Sequence, residues 1–303
     1  MIDDTQDGPE HGKRRFRWRR RRPLFRQRKI PVRYLVPNFF TLLALCIGVT
    51  AIRMALEGRY DFAVALIVAA ALLDGVDGQL ARSLKAQSKF GAELDSLADF
   101  VNFGVATAIV VFHWGLGGLK GFGWLAVLAF ACGMGVRLAR FNAMLEVDKP
   151  KWQSNYFTGM PAPAGAITIL LPIYLTSLEI VDARQFPLLI ALYTLMLAGL
   201  LVSTIPTFSS KMLGERISRE LVPPILVGAA LLVGLLFTYP YGTLATVTLV
   251  YLALIPVSYR RFQWHKAEWA RQHPTAAPEA KPTLFPTQPT QGERSTPPGE
   301  TKH

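Results

Sequence analysis

The sequence predicts an all-α protein, a polytopic membrane helical bundle of about eight transmembrane helices. Three observations carry that expectation. The 303-residue chain is 51% hydrophobic with a mean hydropathy of +0.27, too apolar for a water-soluble chain whose two ends are this polar. Its apolar residues gather into runs long enough to cross a bilayer core of roughly 30 Å. The basic residues between those runs fall in alternate links, as the positive-inside rule requires of a multi-pass protein.

Taken in order, residues 1–33 form a basic segment, KRRFRWRRRRPLFRQRK at its heart, in which the net charge of +12 is concentrated. In a soluble chain such a run would read as a nucleic-acid or import patch. Beside a membrane span its expected partner is anionic lipid rather than nucleic acid, each Lys or Arg contributing roughly 1 kcal/mol near the surface. Phe16, Trp18, Leu24 and Phe25 interleave with the arginines, which permits an interfacial helix. A cleaved signal peptide does not fit, because the first apolar run starts only near Tyr34 and lacks a small-residue cleavage site.

Spans are expected at 36–56, from 62 into the acidic stretch that follows it, and at 91–112, 121–141, 163–181, 186–206, 221–238 and 241–258. Arg82, Lys85 and Lys89 follow the second span, Arg137, Arg140, Lys149 and Lys151 the fourth, and Lys211, Arg216 and Arg219 the sixth. The opposite links hold little beyond Arg59, Lys120 and Arg184, so both termini are expected in the cytoplasm. Cys46 and Cys132 fall inside spans and read as reduced packing residues, with no disulfide or zinc site implied. The tail is rich in Pro, Thr and Gln and is expected to be disordered. The organisation is therefore a basic segment 1–33, a membrane domain 34–262 and a Pro-rich cytoplasmic tail 263–303.

The chemistry concentrates in DGVDGQLARSLKAQSKFGAELDSLAD, residues 74–99. Asp74 and Asp77 share one helix face, Asp95 and Asp99 another. Four acids at the ends of apolar spans demand a functional explanation. Two facing carboxylate pairs make an all-oxygen cage suited to hard cations such as Mg²⁺ or Mn²⁺, and two divalent ions would neutralise four carboxylates. The acids alone fit an ion or proton pathway in a transporter equally well. Of the five histidines only His113 lies near a span, at its far end, so a carboxylate is the expected base.

Read as spacing, the stretch is D-x-x-D-G-x-x-A-R-x8-G-x-x-x-D-x-x-x-D, with Asp74, Asp77, Gly78, Ala81, Arg82, Gly91, Asp95 and Asp99 at the fixed positions. It resembles the CDP-alcohol phosphatidyltransferase family at every motif position. The resemblance implies transfer of a phosphatidyl group from a CDP-linked lipid to an alcohol with release of CMP, two bound divalent metal ions, and a homodimer. It assigns Asp74, Asp77 and Asp95 chiefly to metal binding, with Asp99 as ligand or base and Asp95 beside it in catalysis. Asp74, Asp77, Gly78, Ala81, Arg82 and Gly91 would form the CDP and phosphate site. Three of these, Gly78, Gly91 and Arg82, have a direct physical reading. A glycine lets a nucleotide pack against backbone, and Arg82 offers phosphate a planar fork of donors.

Four further segments, PNFFT at 37–41, RLARFN at 137–142, GMPAPAGA at 159–166 and LLVSTIPTFSSK at 200–211, are similar to the serine-accepting bacterial branch of that family. This implies CDP-diacylglycerol and L-serine as substrates and a location in the bacterial inner membrane, with the acidic site facing the cytoplasm. Arg137 and Arg140 could face the serine carboxylate or the lipid phosphate, or serve as positive-inside anchors. Asn142 is either a pocket donor or a helix terminator. Asn38 and Thr41 either contact the nucleotide or cap the first span.

Overall fold

The computed structural model of the protein describes residues 35–84, 88–144, 156–203, 206–208 and 222–272. The basic segment 1–33 and the tail beyond 272 lie outside the described residues. Eight helical stretches follow one another: α1 Leu35–Leu56, α2 Tyr60–Ser83, α3 Lys89–Leu119, α4 Gly121–Met144, α5 Ala162–Ser177, α6 Pro187–Val202, α7 Val222–Thr238 and α8 Pro240–Gln272. Five of them, α1 to α4 and the Pro240–Arg261 part of α8, are long and apolar enough to cross a membrane, whereas α5, α6 and α7 are shorter apolar helices.

The ends of these helices have local causes. Gly58, at φ +75°, closes α1 by bonding its N–H to the Ala55 carbonyl at 3.0 Å, while the Arg59 N–H reaches Met54 at 2.8 Å. This paired pattern spends the orphan carbonyls of the last turn and reverses the chain into α2. The same pattern ends α5, with Glu179 at φ +58° in the position that usually requires glycine. It stops α5 at Ser177, short of the expected 181. Ser88 starts α3 by accepting a hydrogen bond from the Gly91 N–H at 3.0 Å.

The all-α expectation holds, with three local additions to it. Tyr156–Thr158 and Pro206–Phe208 form one short antiparallel pairing, with Phe157 opposite Thr207, joining the chain ahead of α5 to the chain after α6. The third helix runs to Leu119, and within it Phe100–Ala106 and Phe112–Leu116 are wound as π-helix. The last helix continues to Gln272, so the boundary expected at 262 falls inside a helix.

Helix α2 lies along α1 and α6 along α4 as the most extensive pairings, and the core forms where α3 passes between them. Phe103, Phe130, Met134, Tyr174, Ile169 and Leu201 are fully buried there. Outward surfaces are apolar instead of charged, from Phe39 and Phe62 to Leu226 and Phe237, and α7 buries no residue in the chain. In water that surface would be a large aggregation liability, and in a bilayer it is the expected exterior.

The tightest crossing is that of α1 over α3. A Cβ added to Gly48 would meet Asn102 Oδ1 at 2.0 Å and the Asn102 Cα at 3.2 Å. Gly48→Ala is therefore expected to cost about 1–3 kcal/mol through overpacking, read as a lower unfolding temperature of detergent-purified protein. Adding Asn102→Ala should recover most of the loss, because the colliding side chain is then gone.

Candidate active site

The acids sit on the last turns of α2 and the first turns of α3. Asp74 and Asp77 are three residues apart on α2, Asp95 and Asp99 four apart on α3, so each pair presents to one side. Carboxylate oxygens of Asp74, Asp95 and Asp99 lie within 4.8 Å of one another. The Asp74 and Asp99 side chains approach to hydrogen-bonding reach. Arg137 on α4 extends its guanidinium to within electrostatic reach of both.

The fourth acid is placed differently. Asp77 is buried, and its Oδ2 accepts a hydrogen bond from Thr41 Oγ1 of α1 at 2.9 Å. The same hydroxyl lies 3.1 Å from the Pro37 carbonyl, its alternative acceptor within α1. Of the two readings open for Thr41, nucleotide contact or helix cap, the geometry supplies a third: it fastens α1 to the acidic face of α2.

Three carboxylates at such spacing could hold a divalent cation. Each ionised pair repels by roughly 3–4 kcal/mol at an effective dielectric of 20, and no Lys or Arg ion pair with these acids occurs among the described residues. The donors are all hard oxygens from two rigid helices, which suits Mg²⁺ or Mn²⁺ over softer metals.

The remaining motif positions divide. A Cβ on Gly78 would meet nothing within 4 Å, so the α2 backbone there is open to a ligand. Ala81 is half-buried one turn on, and Arg82 is exposed near the end of α2. At Gly91 the space is already taken, since an added Cβ would lie 2.9 Å from Asn38 Oδ1 and 3.1 Å from Ser88 Oγ. Asn38 thus packs on the start of α3, and Gly91 serves that contact.

On α4 the two arginines separate. Arg137 faces the acids, its guanidinium 5.7 Å from the Phe141 ring centre. Arg140 is buried and donates to the carbonyls of Val202 at 2.6 Å and Ser203 at 3.2 Å, satisfying the C-terminal end of α6. Asn142 donates through Nδ2 to Ser96 Oγ at 2.9 Å, tying the end of α4 to α3 between Asp95 and Asp99.

Sequence reasoning passed over Asn102. It is 2% exposed, sits three residues after Asp99 where the π-helical winding has begun, and its Oδ1 finds no hydrogen-bond partner. The signal was available: an amide inside an apolar span, on the same helical face as Asp99.

Known proteins share this arrangement of sequence. The family model described as CDP-alcohol phosphatidyltransferase matches residues 34–205, and the one described as CDP-alcohol phosphatidyltransferase 2 matches residues 220–256. A CDP-diacylglycerol–serine O-phosphatidyltransferase of Mycobacterium leprae (strain TN) is 38% identical over 253 residues, covering 80% of this chain and 78% of that protein. One of the same description from Mycobacterium tuberculosis (strain CDC 1551 / Oshkosh) is 37% identical over 249 residues, covering 79% and 82%. A third, from Bacillus subtilis (strain 168), is 34% identical over 171 residues, covering 56% of this chain and 88% of that protein.

Cation binding tests the carboxylate cluster directly. Titrating purified protein with Mn²⁺ and following the paramagnetic resonance of the free ion should show binding that Asp95→Asn or Asp99→Asn abolishes. Thr41→Val leaves every carboxylate in place and is expected to weaken binding about tenfold, the common size of an outer-sphere loss.

Proposed function

This chain belongs to the CDP-alcohol phosphatidyltransferase family, and from that premise we propose that it transfers the phosphatidyl group of CDP-diacylglycerol to the hydroxyl of L-serine, forming phosphatidylserine and CMP. The gathering of Asp74, Asp95 and Asp99 from two helices beside the open backbone of Gly78 carries the donor half of this reading. The serine half rests on the relatives, which bear that activity in their names at 36–38% identity over about four-fifths of the chain.

In this mechanism Asp74, Asp77, Asp95 and Asp99 would hold the metal ions, with Thr41 fixing the Asp77 carboxylate through its hydrogen bond. Two divalent cations, Mg²⁺ or Mn²⁺, would offset the charge of the diphosphate and of the carboxylates. Gly78 and Ala81 line the cytidine and phosphate site, Gly91 shapes its α3 wall, and Arg82 closes its mouth on the diphosphate. Asp99 takes the proton from the serine hydroxyl, with Asp95 beside it holding the reacting groups in line. The serine oxygen bonds to the phosphorus that carries diacylglycerol, and the bridging P–O bond breaks with its electrons leaving on CMP. Arg137 receives the serine carboxylate or the lipid phosphate, while Arg140, Asn142 and Asn38 act by holding α6, α3 and the start of α3 in place.

All eight helices cross the bacterial inner membrane in this reading, α5 to α7 as short spans, and the site opens to the cytoplasm. Arg82, Lys89, Arg137 and Arg140 mark that side, and Arg59, Lys120 and Arg184 the other. The basic segment 1–33 meets anionic lipid, the membrane domain is the catalytic unit, and the protein works as a homodimer.

CMP release from CDP-diacylglycerol should require both L-serine and Mg²⁺ or Mn²⁺, and should stop on chelation. Glycerol phosphate, inositol phosphate, choline and phosphatidylglycerol should not replace serine. Activity with one of them and none with serine would refute the acceptor while leaving the donor chemistry standing. Asp99→Asn is expected to lower turnover by about 10²–10⁴-fold, the span of a lost general base, and near-normal turnover in that variant would overturn its role.

A further inference from the structure

At the end of the bundle remote from the aspartates lies a cavity that the proposed reaction does not use. Its volume is about 400 Å³, and Arg59, Tyr60, Asp61, Trp114, Ser177 and Arg184 are among its lining residues. Tyr60 opens α2 and Asp77 sits seventeen residues on, so along the helix the two sites are about 25 Å apart, on opposite membrane faces.

The chemistry of the lining is specific. The Arg184 guanidinium lies over the Trp114 and Tyr60 rings, 5.1 and 5.6 Å from their centres, and that of Arg59 lies 4.3 Å from the centre of Phe62. Both cations are thus placed by aromatic faces, and among the described residues neither pairs with a carboxylate. A guanidinium stacked on a ring keeps its edge of N–H donors available, and that edge matches phosphate oxygens two at a time.

Nearby acids have other partners. Asp61 lines the cavity but its Oδ1 accepts the Tyr241 hydroxyl from α8, Glu57 pairs with Arg53, and Asp182 accepts from Gln185. Glu179 and Asp182, on the link that carries Arg184, are not among the lining residues. The lining therefore holds two positive groups against one negative, an excess that one singly charged phosphodiester balances. The rings are fixed in turn: Tyr60 donates to the His113 carbonyl at 3.0 Å, and Trp114 is buried.

We propose that this cavity binds a phosphate group, with Arg59 and Arg184 as the cationic pair and the phosphodiester headgroup of an anionic membrane lipid as the principal source. The position at helix ends places it at headgroup depth. Its occupant enters from the leaflet opposite the aspartates, so it is a site separate from that of the donor lipid.

Native mass spectrometry of the full chain would test this, with phosphatidylglycerol, diacylglycerol or inorganic phosphate as probe. Relative to wild type, Arg59→Gln/Arg184→Gln should lose one bound phosphatidylglycerol, or weaken it about tenfold, with diacylglycerol retention unchanged. Asp61→Asn preserves an acceptor for Tyr241 but removes the opposing charge, so it should tighten phosphatidylglycerol; a merely structural role for these side chains would not produce that gain. Where the double variant fails to fold, Arg59→Gln and Asp61→Asn alone decide the question. Displacement by millimolar inorganic phosphate, with no lipid retained, would establish the phosphate site and assign it to the free anion. Equal phosphatidylglycerol and phosphate binding in wild type and in all variants would overturn the proposal. None of these readouts depends on CMP release, so they stand apart from the fate of the serine assignment.

Discussion

The close meeting of Asp74, Asp95 and Asp99 is the constraint around which this bundle is arranged. Like charges on two flexible segments would simply separate. Here each acid is borne by a helix whose backbone hydrogen bonds are made internally, so the acids can move apart only by moving whole helices. The geometry the cluster can offer a cation therefore depends on the rigidity of its surroundings as much as on the carboxylates themselves.

That rigidity is supplied from three sides. Helix α1 contributes the Thr41 hydrogen bond to Asp77 and the Asn38 contact over Gly91. Helix α4 contributes Arg137 as a facing charge and the Asn142 bond to Ser96. Below the acids, the absence of a side chain at Gly48 lets α1 approach Asn102 on α3. Arg140 acts one layer out: by satisfying the end of α6 it fixes the helix against which α4 packs. Residues with no contact to substrate can thereby govern how the acids meet.

The spacing of the acidic stretch was legible because it depends only on helical periodicity, and so were the starts of the apolar helices, because they depend on runs of apolar residues. What escaped the sequence depends on partners distant along the chain. Nothing in DGVDG distinguishes Asp77 from Asp74 until Thr41 is known to lie opposite one of them. Arg137 and Arg140 are three residues apart and chemically identical, yet one faces carboxylates and the other carbonyls, a split set by where α6 ends. Gly91 is similar: its need to lack a side chain was evident, but whether nucleotide or Asn38 uses the space was not. The π-helical winding after Asp99 and the short pairing of Tyr156–Thr158 with Pro206–Phe208 leave no periodic mark that a reading of polarity could find.

The last helix has a mechanical consequence. At 33 residues α8 is about 50 Å long, against a hydrocarbon core of roughly 30 Å. The candidate span within it ends at Arg261, so the helix continues for about three further turns, to Gln272, past its membrane-crossing part. Those extra turns extend the reach of the helix in steps of about 1.5 Å per residue, so its length past the span is set by helical turns alone.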